Sequence, residues 1–210
     1  AGRVLCDRPR RNIHHRRSIR LPWYDYARKG MYFVTVCTQE MRCLFGTVGD
    51  RLMHLNESGE CIAGAWDDIP GRFPGVDLDY SVVMPNHIHG IVMIVQHTAR
   101  QDQSVRQGTV SGIRGESGVR PFGTLPGSLS RIIQAFKSIT TGAYVRGVKD
   151  RGWPPFQERL WQRGYFEHII RDERELYLIR RYIAENPRRW EMDNNNPSAT
   201  GSEDRIPWEA

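Results

Sequence analysis

Two histidines, His87 and His89, stand two residues apart in the run Met84-Pro85-Asn86-His87-Ile88-His89-Gly90-Ile91-Val92. The run is apolar and β-branched, so it reads as a strand, whose side chains alternate between faces. Both imidazoles then point to one side and can converge on one metal ion, while Ile88 points the opposite way into a core. A histidine-triad hydrolase would need a third His where Ile91 stands. A cupin-type site would want a Glu, and Ile91-Val92-Met93-Ile94 offers none. No His-Glu-x-x-His helix occurs either. The pair therefore needs a third ligand from elsewhere in the chain.

A second constellation lies near the C-terminus. Tyr182 and Asn186 are four residues apart, one turn from each other on one face of a helix. The Asn186 amide oxygen could complete a two-histidine, one-oxygen site, leaving places for water and phosphate oxygens. A phenol of pKa about 10 is a poor nucleophile at neutral pH. A divalent ion that polarises a phosphate, or a nearby base, would help it attack. On spacing alone an ordinary amphipathic-helix tyrosine is the stronger reading. Tyr144, Tyr165 and Tyr177 are rival nucleophiles without the Tyr-x-x-x-Asn arrangement. His168, alternating with Phe166 and Ile170, reads as a structural or supporting residue rather than a ligand.

The charge distribution suits a polyanionic partner. Of the net +6, residues 1–30 carry a local +7: nine basic side chains against Asp7 and Asp25. Residues 131–165 hold a further seven basic groups against two acidic ones. Arg16, Arg17 and Arg20 are candidates for phosphate contacts, with Lys137 and Arg163 along the same path. Trp23, Tyr24 and Tyr26 could stack on unpaired bases. A solvated basic tail is the plain alternative for the arm. The four cysteines form no Cys-x-x-Cys pair, no apolar run approaches the roughly 20 residues of a membrane helix, and no signal-peptide pattern opens the chain. The expectation is a reduced, cytoplasmic protein with no membrane partner.

The elements needed to position these residues follow from periodicity and punctuation. Residues 1–30 read as a basic arm. Strands are expected over 31–38, 76–83, 87–95 and 159–169, with a hairpin or extended piece near 45–50. The second strand takes its alternation from Val76, Leu78 and Tyr80. Helices are expected from Asn56 to about Trp66, from Ser128 or Ser130 to about Val145, and over 173–186, capped by Asp172 and stopped by Pro187. Residues 97–127 lack an apolar period and read as a mobile loop; 191–210 read as a polar, frayed tail. The order β-α-β-β-α-β plus a helix predicts an α+β fold: a ferredoxin-like split βαβ antiparallel sheet, helices on one face, and an extra C-terminal helix carrying the nucleophile. The main domain spans 31–190.

His87-Ile88-His89 resembles the HUH motif of single-strand-specific transposases. From about Arg17 to Trp190 the chain is similar to the REP-associated tyrosine transposases, bacterial relatives of those enzymes. The similarity runs through Tyr24-Asp25-Tyr26, the strand Tyr32–Thr38, Met84–Gly90 and Ser130–Ser138. It continues through Leu160-Trp161-Gln162-Arg163, Phe166–Arg171 and Tyr182-Ile183-Ala184-Glu185-Asn186-Pro187. Weak singly, these blocks are specific in this order. The resemblance implies Mg²⁺ or Mn²⁺ on His87 and His89, with Asn186 the third ligand and Tyr182 the nucleophile. It implies cleavage and rejoining of single-stranded or hairpin DNA, such as repetitive extragenic palindromes, through a 5′-phosphotyrosine, near the bacterial nucleoid. Hard Mg²⁺ prefers oxygen, whereas imidazole suits Mn²⁺, so the ion stays open. So do monomer against homodimer, with the tyrosine helix serving in cis or in trans. A binding protein that holds structured DNA without cutting it is the alternative, and a metal-dependent RNA hydrolase a third reading.

Overall fold

The structure, a computed structural model, describes residues 28–95 and 127–199. Strand β1 (Gly30–Cys37) is followed by a hairpin, β2 (Gly46–Gly49) and β3 (Leu52–Leu55), then α1 (Glu57–Asp67) and a single turn, α2 (Ile69–Arg72). β4 (Val76–Met84), β5 (His87–Ile94), α3 (Leu129–Arg151), β6 (Phe166–Ile170) and α4 (Glu173–Glu185) complete the order, and α4 runs into a 3-10 turn, Asn186–Met192. The main sheet has the order β4-β5-β1-β6, with every pair antiparallel. This is the expected split βαβ plan.

Alternation along the central strands builds two apolar layers. Tyr32, Val34 and Val36 of β1 and Ile88, Val92 and Ile94 of β5 pack with Ile62 and Trp66 of α1 and Ile132, Ile133 and Phe136 of α3. Phe33 and Ile91, one residue out of phase, pack instead with Leu176, Ile179 and Ile183 of α4. So α4 covers the sheet face opposite α1 and α3. Ile88 lies in the first layer, as its place between the histidines requires.

Local signals account for the helix ends. Asn56 caps α1 by accepting from the Gly59 amide at 2.9 Å, Ser128 caps α3, and Asp172 caps α4 by accepting from the Glu175 amide at 2.8 Å. Helix α3 runs six residues past the expected end at Val145 and stops where Gly152 turns left-handed at φ 69°, after which Trp153 folds back over Gly147. A Cβ there would lie 2.1 Å from the indole, so the contact requires glycine.

Three expectations are corrected. The expected strand over 159–169 is present only as Phe166–Ile170, with one bridge between Thr38 and Trp161. The carbonyls of Gln162, Arg163 and Gly164 all turn to the Lys137 ammonium, at 2.8, 3.3 and 2.7 Å. Successive strand carbonyls alternate in direction, so such a segment cannot pair. The alternation through Tyr80 breaks at a bulge between Leu78 and Ser81, which leaves Tyr80 exposed. The polar segment after Met192, expected to fray, returns to the sheet: Asn86 Nδ2 donates to the Asn195 carbonyl at 2.6 Å.

Candidate metal centre and tyrosine site

Register brings the site together. β1 and β5 pair Thr35 with His89 and Cys37 with His87, which places these side chains on the α4 face. Gly90 follows the pair because α1 packs its Trp66 against this point of the strand. A Cβ on Gly90 would lie 2.3 Å from Cζ2 of that ring.

Both imidazoles are buried, and His87 Nε2 lies 2.9 Å from His89 Nε2. The protonation of His87 follows from Asn86. The Asn86 amide nitrogen donates to two carbonyls, Met41 at 2.9 Å and Asn195 at 2.6 Å, which fixes the orientation of the amide. Its oxygen therefore faces His87 Nδ1 at 2.8 Å and accepts the proton there. That leaves the Nε2 lone pair of His87 pointing into the site. His89 Nδ1 contacts Thr35 Oγ1 at 2.8 Å, a hydroxyl able to donate or accept. Burial pulls the His87 pKa down to about 3. Burial, and then the neighbouring His87, hold that of His89 well below its ordinary value. Both rings are neutral, the form that binds a metal.

The third potential ligand atom comes from Asp193. His87, His89 and Asp193 each offer an atom within 4.8 Å of the others, and Asp193 Oδ2 lies 3.9 Å from His87 Nε2. Asp193 Oδ1 accepts from the Asn195 amide at 2.7 Å. Asp193 Oδ2 and Asn186 Oδ1 are buried and find no hydrogen-bond partner among the described residues. Uncompensated buried acceptors are costly, and a cation beside the histidines would satisfy the Asp193 oxygen. The donor set, two imidazoles and a carboxylate oxygen, fits a divalent ion such as Mn²⁺. These residues could hold a metal ion.

Tyr182 lies on the face of α4 turned to the sheet, its ring centroid 5.3 Å from that of His89 and 6.0 Å from Phe33. Burial, then the Asp193 charge, raise its pKa above the usual value, while the Asn186 amide opposes the shift by hydrogen bonding. Asn186 also lowers the pKa of Asp193, which burial raises. The amide thus acts on the phenol and the carboxylate alike. The other tyrosines lie elsewhere. Tyr144 is buried in the α1–α3 layer with its hydroxyl donating to the Pro154 carbonyl at 3.0 Å, Tyr165 packs beside Ser130 and Lys137 of α3, and Tyr177 is exposed.

Of the sequence-derived site residues, His87, His89, Tyr182 and Asn186 gather at one place. Lys137 points its ammonium at the 162–164 carbonyls, and burial lowers its pKa to about 8. Arg163 is exposed. Arg16, Arg17 and Arg20, with Trp23, Tyr24 and Tyr26, lie outside the described residues. His168 meets Glu175 at 2.8 Å, a pairing that ties β6 to the first turn of α4. Sequence reasoning missed Asp193, hidden in the polar run Asp193-Asn194-Asn195-Asn196, and the two residues that orient the imidazoles, Thr35 and Asn86. Only strand register exposes Thr35, whereas Asn86 directly precedes the pair.

This fold is shared with a solved REP-associated tyrosine transposase bound to a REP hairpin: TM-score 0.50, 17% identity, covering 80% of this chain and 72% of that one. A putative transposase from Deinococcus radiodurans is also similar, with a TM-score of 0.40 and 16% identity over 77% of this chain and 92% of the other. The chain belongs to the same family as an uncharacterized protein of Haemophilus influenzae, 38% identical over 188 residues, which are 86% of this chain and 93% of the relative. No family model matches the sequence. Among the described residues, no helix is long and apolar enough to cross a membrane.

Proposed function

We propose that this protein is a metal-dependent DNA strand-transfer endonuclease of the REP-associated tyrosine transposase kind, acting on single-stranded or hairpin DNA in the bacterial cytoplasm. The observation that carries the reading is the placement of the half-buried Tyr182 ring 5.3 Å from that of His89 in the buried histidine pair. The shared fold and the basic chain support it.

In this reading Tyr182 Oη attacks a backbone phosphorus in line. The tyrosine O–P bond forms, the P–O3′ bond breaks, and the freed 3′-oxygen takes up a proton. The phenolic proton leaves to a base, and Asp193 Oδ2, buried and unpartnered among the described residues, is a suitable acceptor. A divalent ion held by His87, His89 and an Asp193 or Asn186 oxygen would offset the charge that disfavours phenolate and polarise the phosphate. Because the bond is kept as a phosphotyrosine, a 3′-hydroxyl can reverse the step without ATP.

End-labelled hairpin DNA with a single-stranded flank, incubated with Mn²⁺ and run on a denaturing gel, tests this. The wild type is expected to leave a protein-linked fragment that Tyr182→Phe abolishes. Cleavage by Tyr182→Phe at the parental rate would remove Tyr182 from the mechanism. Binding with no adduct in the wild type would instead make the protein a holder of structured DNA.

A further inference from the structure

Trp190 stands in the 3-10 turn after α4, its ring centroid 6.1 Å from His87 with the planes 36° apart. The other described tryptophans are explained by packing. Trp66 fills the space over Gly90, Trp153 covers Gly147 and donates to Glu57, and Trp161 donates to Thr140. Trp190 belongs to neither apolar layer and keeps part of its surface exposed. Its backbone is pinned, since the carbonyl accepts from the Asn196 amide nitrogen at 2.8 Å and from the Asp193 amide at 3.2 Å. A large, pre-placed indole beside His87, preceded by exposed Arg188 and by Arg189, which pairs with Glu185 at 3.3 Å, combines an aromatic face with the positive charge of Arg188. Together these are the elements of a platform for an unpaired base and its phosphate.

We propose that Trp190 stacks on an unpaired nucleobase adjoining the phosphate presented to Tyr182, making it a specificity residue for single-stranded nucleic acid. In intact duplex both faces of each base are covered by neighbours, so the indole has nothing to stack on. This rests on the nucleic-acid reading above and adds the position at which strand state is sensed.

The test uses the full chain carrying Tyr182→Phe, so that binding is measured without turnover. Anisotropy follows a fluorescein-labelled hairpin whose single-stranded flank is replaced, one nucleotide at a time, by abasic sites. One position is expected to weaken binding about tenfold when Trp190 is present. The same lesion should cost nothing further in Trp190→Ala, and Trp190→Phe, which keeps a ring and the fold, should retain most of the sensitivity. A scan that is flat, or the same with and without the indole, removes the stacking role while leaving DNA binding intact. Failure of the hairpin to bind at all overturns the nucleic-acid reading and this role together.

Discussion

Arg180 closes a two-pronged ion pair on Asp79, with Nε 3.1 Å from Oδ1 and Nη2 2.5 Å from Oδ2. Asp79 sits in the β4 bulge, and the same guanidinium lies 5.7 Å from the ring of Tyr80. The bulge thus presents both an anion and an aromatic face to α4 two residues before Tyr182. A fork-shaped contact fixes orientation as well as distance. Arg180→Ala is therefore expected to loosen the seat of α4 and slow hairpin cleavage by up to ~100-fold, since small misplacements of a nucleophile are costly. Hairpin affinity should change little. The exchange Asp79→Arg with Arg180→Asp should recover part of the rate. Equal losses in affinity and rate would mean that Arg180 contacts DNA instead.

Asn86→Ala is expected to weaken Mn²⁺ binding by about 10–100-fold, the usual effect of losing a residue that orients a ligand. Without the Asn86 oxygen, His87 is free to protonate Nε2 and turn its lone pair away from the site. Calorimetric titration of Mn²⁺ into the apo protein measures this. An affinity within twofold of the wild type would show that Asn86 does not orient the ring.

Gly90→Ala should cost about 1–3 kcal/mol, the usual penalty for overpacking, and lower Tm by several degrees. The added methyl would stand 2.3 Å from the Trp66 ring. A second change, Trp66→Leu, should give Gly90→Ala a smaller penalty than it has in the wild type. Thermal melts of the four proteins give the coupling directly; simple additivity would mean that the strand shifts to make room.

The pH dependence of the metal-free protein carries a definite sign. In the unfolded chain the histidines gain protons below about 6.5, whereas burial holds folded His87 neutral until about 3 and folded His89 well below its ordinary value. Protons thus bind the unfolded state preferentially between those values, and stability falls as pH drops from about 6.5. Asp193, raised by burial, acts in the opposite sense at acid pH, as one group against two. Melts in EDTA should show Tm falling from pH 7 to 4.5, with a shallower slope in His87→Gln/His89→Gln. Parallel slopes would mean that the imidazoles do not titrate as buried groups.

The sequence carried the sheet and the histidine pair because period-two alternation and clear caps marked them, as at Asn56, Ser128 and Asp172. It hid features set by tertiary contacts. Near 45–50 a hairpin or extended piece is expected, but its second strand, Leu52–Leu55, is not marked, because the turn runs through Asp50 and Arg51 at positive φ with no glycine at either position. The loop over 162–164 is shaped by Lys137, whose own position gives no hint of that role. Asp193 was illegible for a simpler reason: polar residues after a final helix read as solvated, whereas the hydrogen bond from Asn86 to the Asn195 carbonyl and the approach of Asp193 to His87 turn this segment inward.

Asn186 offers the sharpest division between two roles. As a ligand it would use Oδ1, buried and unpartnered among the described residues; as a bridge it would use its amide hydrogens toward Tyr182 and Asp193. Asn186→Ala removes both functions and should lower Mn²⁺ affinity and cleavage together. Asn186→Asp keeps an oxygen in place and loses the donors. If Asn186 is a ligand, the Asp variant should hold Mn²⁺ at least as tightly as the wild type, because a carboxylate is the stronger oxygen ligand for a hard cation. Its cleavage should still fall by about tenfold or more, because a second anion beside Tyr182 disfavours the phenolate. Mn²⁺ affinity falling equally in both variants would assign Asn186 to the bridge alone and leave Asp193 as the third ligand.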